Sequence, residues 1–190
     1  MSERFNVLPV LRGHWKGLTD GRDTTRPRAD IVARLSLLLP VAVFALMLGR
    51  GGRLAAPAAL LTGVALMAGG MLSAFTHLST LRLKITEWDS SGGASRFEVE
   101  RGMLDETAAH LLTGSLVCAF DAAALVIGMN VGATKAGQLQ GFWAALAAGL
   151  SSYVLIVFIF VIPRLYSAYV EINNVSSELN GFDRSKRRKG

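Results

Sequence analysis

A single cysteine, Cys118, sits inside an apolar run, so the chain has no intrachain disulfide and does not read as a small secreted scaffold. The common catalytic signatures are missing as well. There is no G-x-S-x-G, no H-E-x-x-H, no phosphate-binding loop and no dinucleotide fingerprint, which leaves an enzyme without support. Three histidines without a close-spaced ligand motif do not make a metal centre, so no catalytic, cofactor-binding or metal-ligating residue is expected. No internal repeat is present. Charge is scarce too: 18% of residues are charged, 51% are hydrophobic and the mean hydropathy is +0.39, a balance too apolar for an ordinary soluble domain.

What the sequence does contain is long uncharged stretches. A helix needs about 20 apolar residues to cross a hydrocarbon core about 30 Å thick. Residues 54–81 carry no Asp, Glu, Lys or Arg, residues 107–134 carry only Asp121, and residues 136–163 carry no charge at all. The run LSLLLPVAVFALMLG after Arg34 is shorter, and reaches spanning length if residues 31–33 join it and Arg34 snorkels to the headgroups. The expected fold is therefore an all-α membrane protein, a bundle of four transmembrane helices at about 31–49, 54–79, 107–130 and 142–163. These form one domain over 31–163 with a cytoplasmic loop at 80–106, between a basic segment over 1–30 and a helix with a basic tail over 164–190.

Lys and Arg set orientation. With both termini inside, seventeen basic residues face the cytoplasm and three (Arg50, Arg53 and Lys135) face outward, so the expected location is a bacterial plasma (inner) membrane with cytoplasmic ends. The net charge of +6 then belongs to residues flanking spans on one face, where anionic lipid headgroups rather than nucleic acid are the partner. Phe5, Leu8, Leu11, Trp15 and Leu18, at spacings of three and four between basic residues, predict a short interfacial helix. Leu78, Leu81, Ile85 and Trp88 predict that the second span runs on as helix toward Gly92 and Gly93, against a rival β-hairpin built on Leu81, Leu83 and Ile85. Leu165, Tyr169, Ile172 and Leu179 continue the last span in the same way until Gly181. Such stripes need cover, from one another or from further copies of the chain.

Few residues offer chemistry. Asp121 falls near mid-membrane, where a charged carboxylate costs about 2.5–3.5 kcal/mol on insertion scales. Ser151, Ser152 and Tyr153 share its depth as candidate partners. The neutral acid is its expected form, serving either a polar path or a hydrogen bond between helices. A proton path needs a chain of acids or histidines, and none is expected around Asp121. Arg34, His77, His110 and Arg164 form a second candidate group at the inner interface, either anchors or a pH-sensitive cluster. His14, in the N-terminal segment, is not expected to supply a third metal ligand. Gly69, Gly70, Gly141, Ala145 and Gly149 are candidate helix-packing positions.

Four spans, a short outer hairpin, helices running into the cytoplasm and the tail RSKRRKG together resemble, in outline, the small four-span membrane proteins of bacteria and their phages, including holins and phage-exclusion effectors. That resemblance implies a non-enzymatic, homo-oligomeric effector or channel-like protein that permeabilises the inner membrane when triggered, and it carries no residue roles with it. The alternative is a membrane-anchored scaffold or regulator whose cytoplasmic parts hold a soluble protein partner.

Overall fold

The computed structural model describes residues 7–16, 19–20, 28–29, 35–92 and 98–172. Its elements are α1 (Leu8–Lys16), β1 (Thr19–Asp20), β2 (Arg28–Ala29), α2 (Leu38–Gly49), β3 (Arg53–Leu54), α3 (Pro57–Gly92), α4 (Glu98–Val131), β4 (Leu139–Gln140) and α5 (Phe142–Ile172). The four strands are two-residue pairings, β1 with β2 and β3 with β4. Everything else of consequence is helix.

Three helices are long and apolar enough to cross a membrane: Pro57–Glu87, Arg101–Val131 and Phe142–Val170. The protein is a helical membrane bundle. The first apolar run is described as helix over Leu38–Gly49, 12 residues, or about 18 Å at about 1.5 Å per residue. Residues 30–34, including Arg34, lie outside the described residues, as do Phe5, Leu18, Gly93, Leu179, Gly181 and the basic tail. The stretch after the second apolar run is helical and continuous to Gly92, so Leu81, Leu83 and Ile85 belong to a helix and not to a hairpin.

Packing follows a seven-residue repeat. Val64, Met71, Leu78 and Ile85 on α3, Leu104, Leu111, Cys118 and Leu125 on α4, and Ala147, Val154, Val161 and Ala168 on α5 are all buried. In each helix these residues stand seven apart, the repeat that keeps one seam facing a partner in left-handed packing. On α4 a second row, Thr107, Gly114 and Asp121, lies three residues further on, and its Thr107 and Asp121 are buried too. α4 is thus the central helix. It packs against α3 on one side and α5 on the other, α5 in turn carries α2, and α1 lies on α4. α3 is peripheral, since 11% of its apolar window is buried against 44% for α4 and 39% for α5.

Local sequence explains the ends. Pro57 opens α3 at the first helical position, where its missing N–H costs nothing. Pro163 lies within α5 and removes one helical hydrogen bond near the end of the apolar run. At the opposite end of the bundle β3 pairs with β4 in antiparallel register, Arg53 with Gln140 and Leu54 with Leu139. This ties the α2–α3 turn to the start of α5. Gly141 is the hinge of that connection: with φ of +69° it occupies the left-handed region that favours glycine.

Candidate functional site

Asp121 is completely buried. Ser151 on α5 donates to its Oδ2 at 2.5 Å, while Oδ1 has no partner among the described residues. Of the other residues expected at that depth, Ser152 bonds back to the Ala148 carbonyl and Tyr153 turns to a different neighbour. The group around Asp121 is therefore a pair, and it ties α4 to α5 inside the core.

A longer polar chain begins at Tyr153. Its hydroxyl meets Nε2 of His14 at 2.9 Å, His14 Nδ1 meets His110 Nδ1, and His110 Nε2 meets the Arg164 guanidinium at 3.0 Å. Arg164 also pairs with Glu106 at 3.3 Å. Because arginine only donates, Arg164 fixes every proton in the chain. His110 Nε2 accepts, so its Nδ1 carries hydrogen and donates to His14 Nδ1, and His14 Nε2 in turn donates to the Tyr153 oxygen. Both imidazoles are neutral in this arrangement. Burial, and secondarily the Arg164 charge, push the His14 pKa down from 6.5 to about 4. This chain runs from Arg164 to Tyr153 and does not reach Asp121.

Among the other sequence candidates, His110 and Arg164 come together as expected. His77 does not join them and is exposed on α3. Gly149 sits where α2 packs against α5, and an added Cβ there would lie 3.1 Å from Phe44 Cβ and 3.2 Å from the Pro40 carbonyl oxygen. Ala145 is buried. Gly69 and Gly70 face away from the bundle, with nothing within 4 Å of an added Cβ.

α2, α4 and α5 enclose one side of an apolar cavity of about 460 Å³, with Pro40, Val41, Phe44, Val117, Leu150 and Tyr153 in its wall. α3 offers a different surface. Thr62, Leu66, Gly69, Ser73, Thr76 and Thr80 are all exposed, at alternating steps of four and three. That row lies opposite the buried seam of Val64, Met71 and Leu78. Thr62, Thr76 and Thr80 bond back to carbonyls one turn earlier, and His77 flanks the row.

No protein-family model, no curated protein and no solved structure matches the chain, so its chemistry is read from this geometry. The residue that sequence reasoning missed is His14. It lies in a basic segment, and only the docking of α1 on α4, where Gly13 packs against Ala109, carries it to His110.

Proposed function

We propose that the protein is a non-enzymatic, homo-oligomeric, channel-like effector of a bacterial inner membrane, with both termini cytoplasmic, and that α3 lines the contact or conduit between copies. The observation that carries this reading is the exposed row Thr62, Gly69, Ser73, Thr76 and Thr80, with His77 beside it, on a helix of membrane-crossing length. The hydroxyls of Thr62, Thr76 and Thr80 are satisfied by their own helix, but the Ser73 hydroxyl and the His77 imidazole would find no hydrogen-bonding solvent in lipid, whereas water or a second helix supplies one. Gly69 and Gly70 lower the profile of that face and allow backbones to approach. In this reading the chain crosses four times, the first crossing being residues 31–49, where α2 carries the chain to the β3–β4 end, while α1 lies at the inner interface against α4 near His110.

Asp121 serves as a brace between α4 and α5 in this scheme, because its side chain is enclosed and the α3 row is not. The test is ion flux in vesicles. Ser73→Cys and Thr76→Cys, in a Cys118→Ala background, should become sensitive to a charged thiol reagent, while Leu72→Cys, off the row, should not. If reconstituted protein passes no ions and its expression leaves the bacterial membrane potential unchanged, the channel reading fails. The scaffold reading, with a soluble cytoplasmic partner, then takes its place.

A further inference from the structure

We propose that the cavity between α2, α4 and α5 is a binding site for a neutral, lipid-soluble carbonyl compound of the prenylated-quinone class, held by a hydrogen bond from Tyr153. Four observations converge on this ligand. First, the cavity, at about 460 Å³, falls within the range of about 300–1,000 Å³ typical of small-molecule sites. Second, among the described residues no charged side chain lines it and its wall is apolar apart from Tyr153, which calls for a largely apolar body.

Third, the hydrogen-bond chain leaves Tyr153 with a donor to spare. His14 Nε2 donates to the phenol oxygen, as the fixed order from Arg164 through His110 requires, so the phenol hydrogen is not used toward His14 and has no acceptor among the described residues. A buried or half-buried donor without an acceptor is costly, and a ligand carbonyl removes that cost. Fourth, depth selects among carbonyl compounds. Tyr153 is 11 residues from Phe142, where α5 begins, and 11 from Arg164, where the apolar run ends, which places it about 16 Å from each. A phospholipid ester or headgroup stays at the interface, whereas an uncharged quinone head on an isoprenoid tail dissolves at mid-membrane. The antiparallel packing of α2 on α5, with Pro40 and Phe44 against Gly149, places Tyr153 at the Leu37 end of the cavity and leaves the length toward Phe44 for the tail.

The experiment uses the full chain in lipid nanodiscs with radiolabelled decyl-benzoquinone as the probe and empty discs as the blank. The wild type should show a saturable component that unlabelled decyl-benzoquinone displaces and decylbenzene, with the same tail and no carbonyl, does not. Tyr153→Phe should weaken binding about fivefold, the scale of one hydrogen bond. Leu150→Trp or Val41→Trp, from two different walls, should remove the saturable component by filling the space. Absence of saturable binding to the wild type would overturn the proposal. Equal displacement by decylbenzene together with unchanged affinity in Tyr153→Phe would overturn it too, and would show a groove filled by bilayer acyl chains. Should a tryptophan variant fail to fold, the phenylalanine variant and the decylbenzene competition still decide the outcome.

Discussion

Lowering the pH from 7 to 5 should loosen α1 from the bundle, and His14 sets the size of the effect. Docked, His14 is neutral with its pKa near 4; released into water, it returns to 6.5. A group whose pKa is depressed by docking leaves the docked state at full strength above pH 6.5, and weakens it as pH falls toward 4 because only the released state takes up the proton. The loss is about 2 kcal/mol at pH 5, or about thirtyfold in the opening equilibrium, with a limit of about 3 kcal/mol below pH 4. The groups facing His14 do not reverse this sign. Glu106 and His110 approach from α4, and Tyr153 and Arg164 from α5, with the Arg164 guanidinium disfavouring a second cation. Hydrogen exchange of the amides in residues 7–16, corrected for the intrinsic effect of pH, reports the opening directly. Wild-type opening should rise about twentyfold from pH 7 to 5, while His14→Gln should open more readily at pH 7 and lose the pH dependence. A rise of less than about threefold in the wild type would mean that docking does not depend on neutral His14, and the wiring from Arg164 to Tyr153 would fail with it.

Arg164→Gln removes the charge that helps to depress the His14 pKa, so the same exchange measurement should show a shallower response to acid in that variant. Ser151→Ala strands both buried oxygens of Asp121 and should cost about 1–3 kcal/mol, whereas Asp121→Asn keeps the volume and an acceptor for Ser151 and should stay within about 1 kcal/mol of the wild type; thermal unfolding in detergent that ranks them the other way would remove the brace role. At Gly128 an added Cβ would stand 2.9 Å from Trp143 Cβ and 3.0 Å from Leu139 Cδ1, so Gly128→Ala should cost about 1–3 kcal/mol by overpacking. Gly69→Ala meets open space and should leave the unfolding of the single chain unchanged while altering cross-links between copies. Equal effects at the two glycines would contradict the assignment of one to the bundle and the other to its outer face.

Hydropathy made the long helices legible, because an uncharged run of spanning length has few other uses, and the stripe of Leu78 and Ile85 correctly extended α3 beyond the apolar run. The seven-residue seams were harder to see. In a stretch such as YVLIVFIFVI nearly every position is apolar, so buried Val154 and Val161 do not differ in hydropathy from exposed Leu155 and Ile159. In lipid the core is chosen by shape rather than by hydrophobicity. Asp121 was legible as an oddity and its partner Ser151 by depth. His110 and Arg164 were legible in the same way, on helices whose register follows from length. His14 was not, because its place depends on a short helix folding back across the bundle, and depth counted along the spans gives no information about a segment that lies outside them.

The docking of α1 accounts for the position of His14 and for the polar edge of the cavity. α2 lies on α5 from the β3–β4 end, and Leu37 and Tyr153 share the wall of the cavity. α1 covers the neighbouring face of α4, with His14 turned inward and Leu8, Leu11 and Trp15 turned out. Without α1, Tyr153 would lose its imidazole partner, and His110 and Arg164 would pair alone. Docking instead brings an imidazole to Tyr153, and fixed tautomers carry the influence of the Arg164 charge to a phenol at the edge of an apolar space. It follows that Gly13→Leu, whose added Cβ would lie 3.1 Å from Ala109 Cβ, should undock α1 and take His14 away from Tyr153, so exchange of the amides in residues 7–16 should rise at pH 7 and lose its acid response. If the exchange and its acid response both survive Gly13→Leu unchanged, the position of His14 does not depend on that contact.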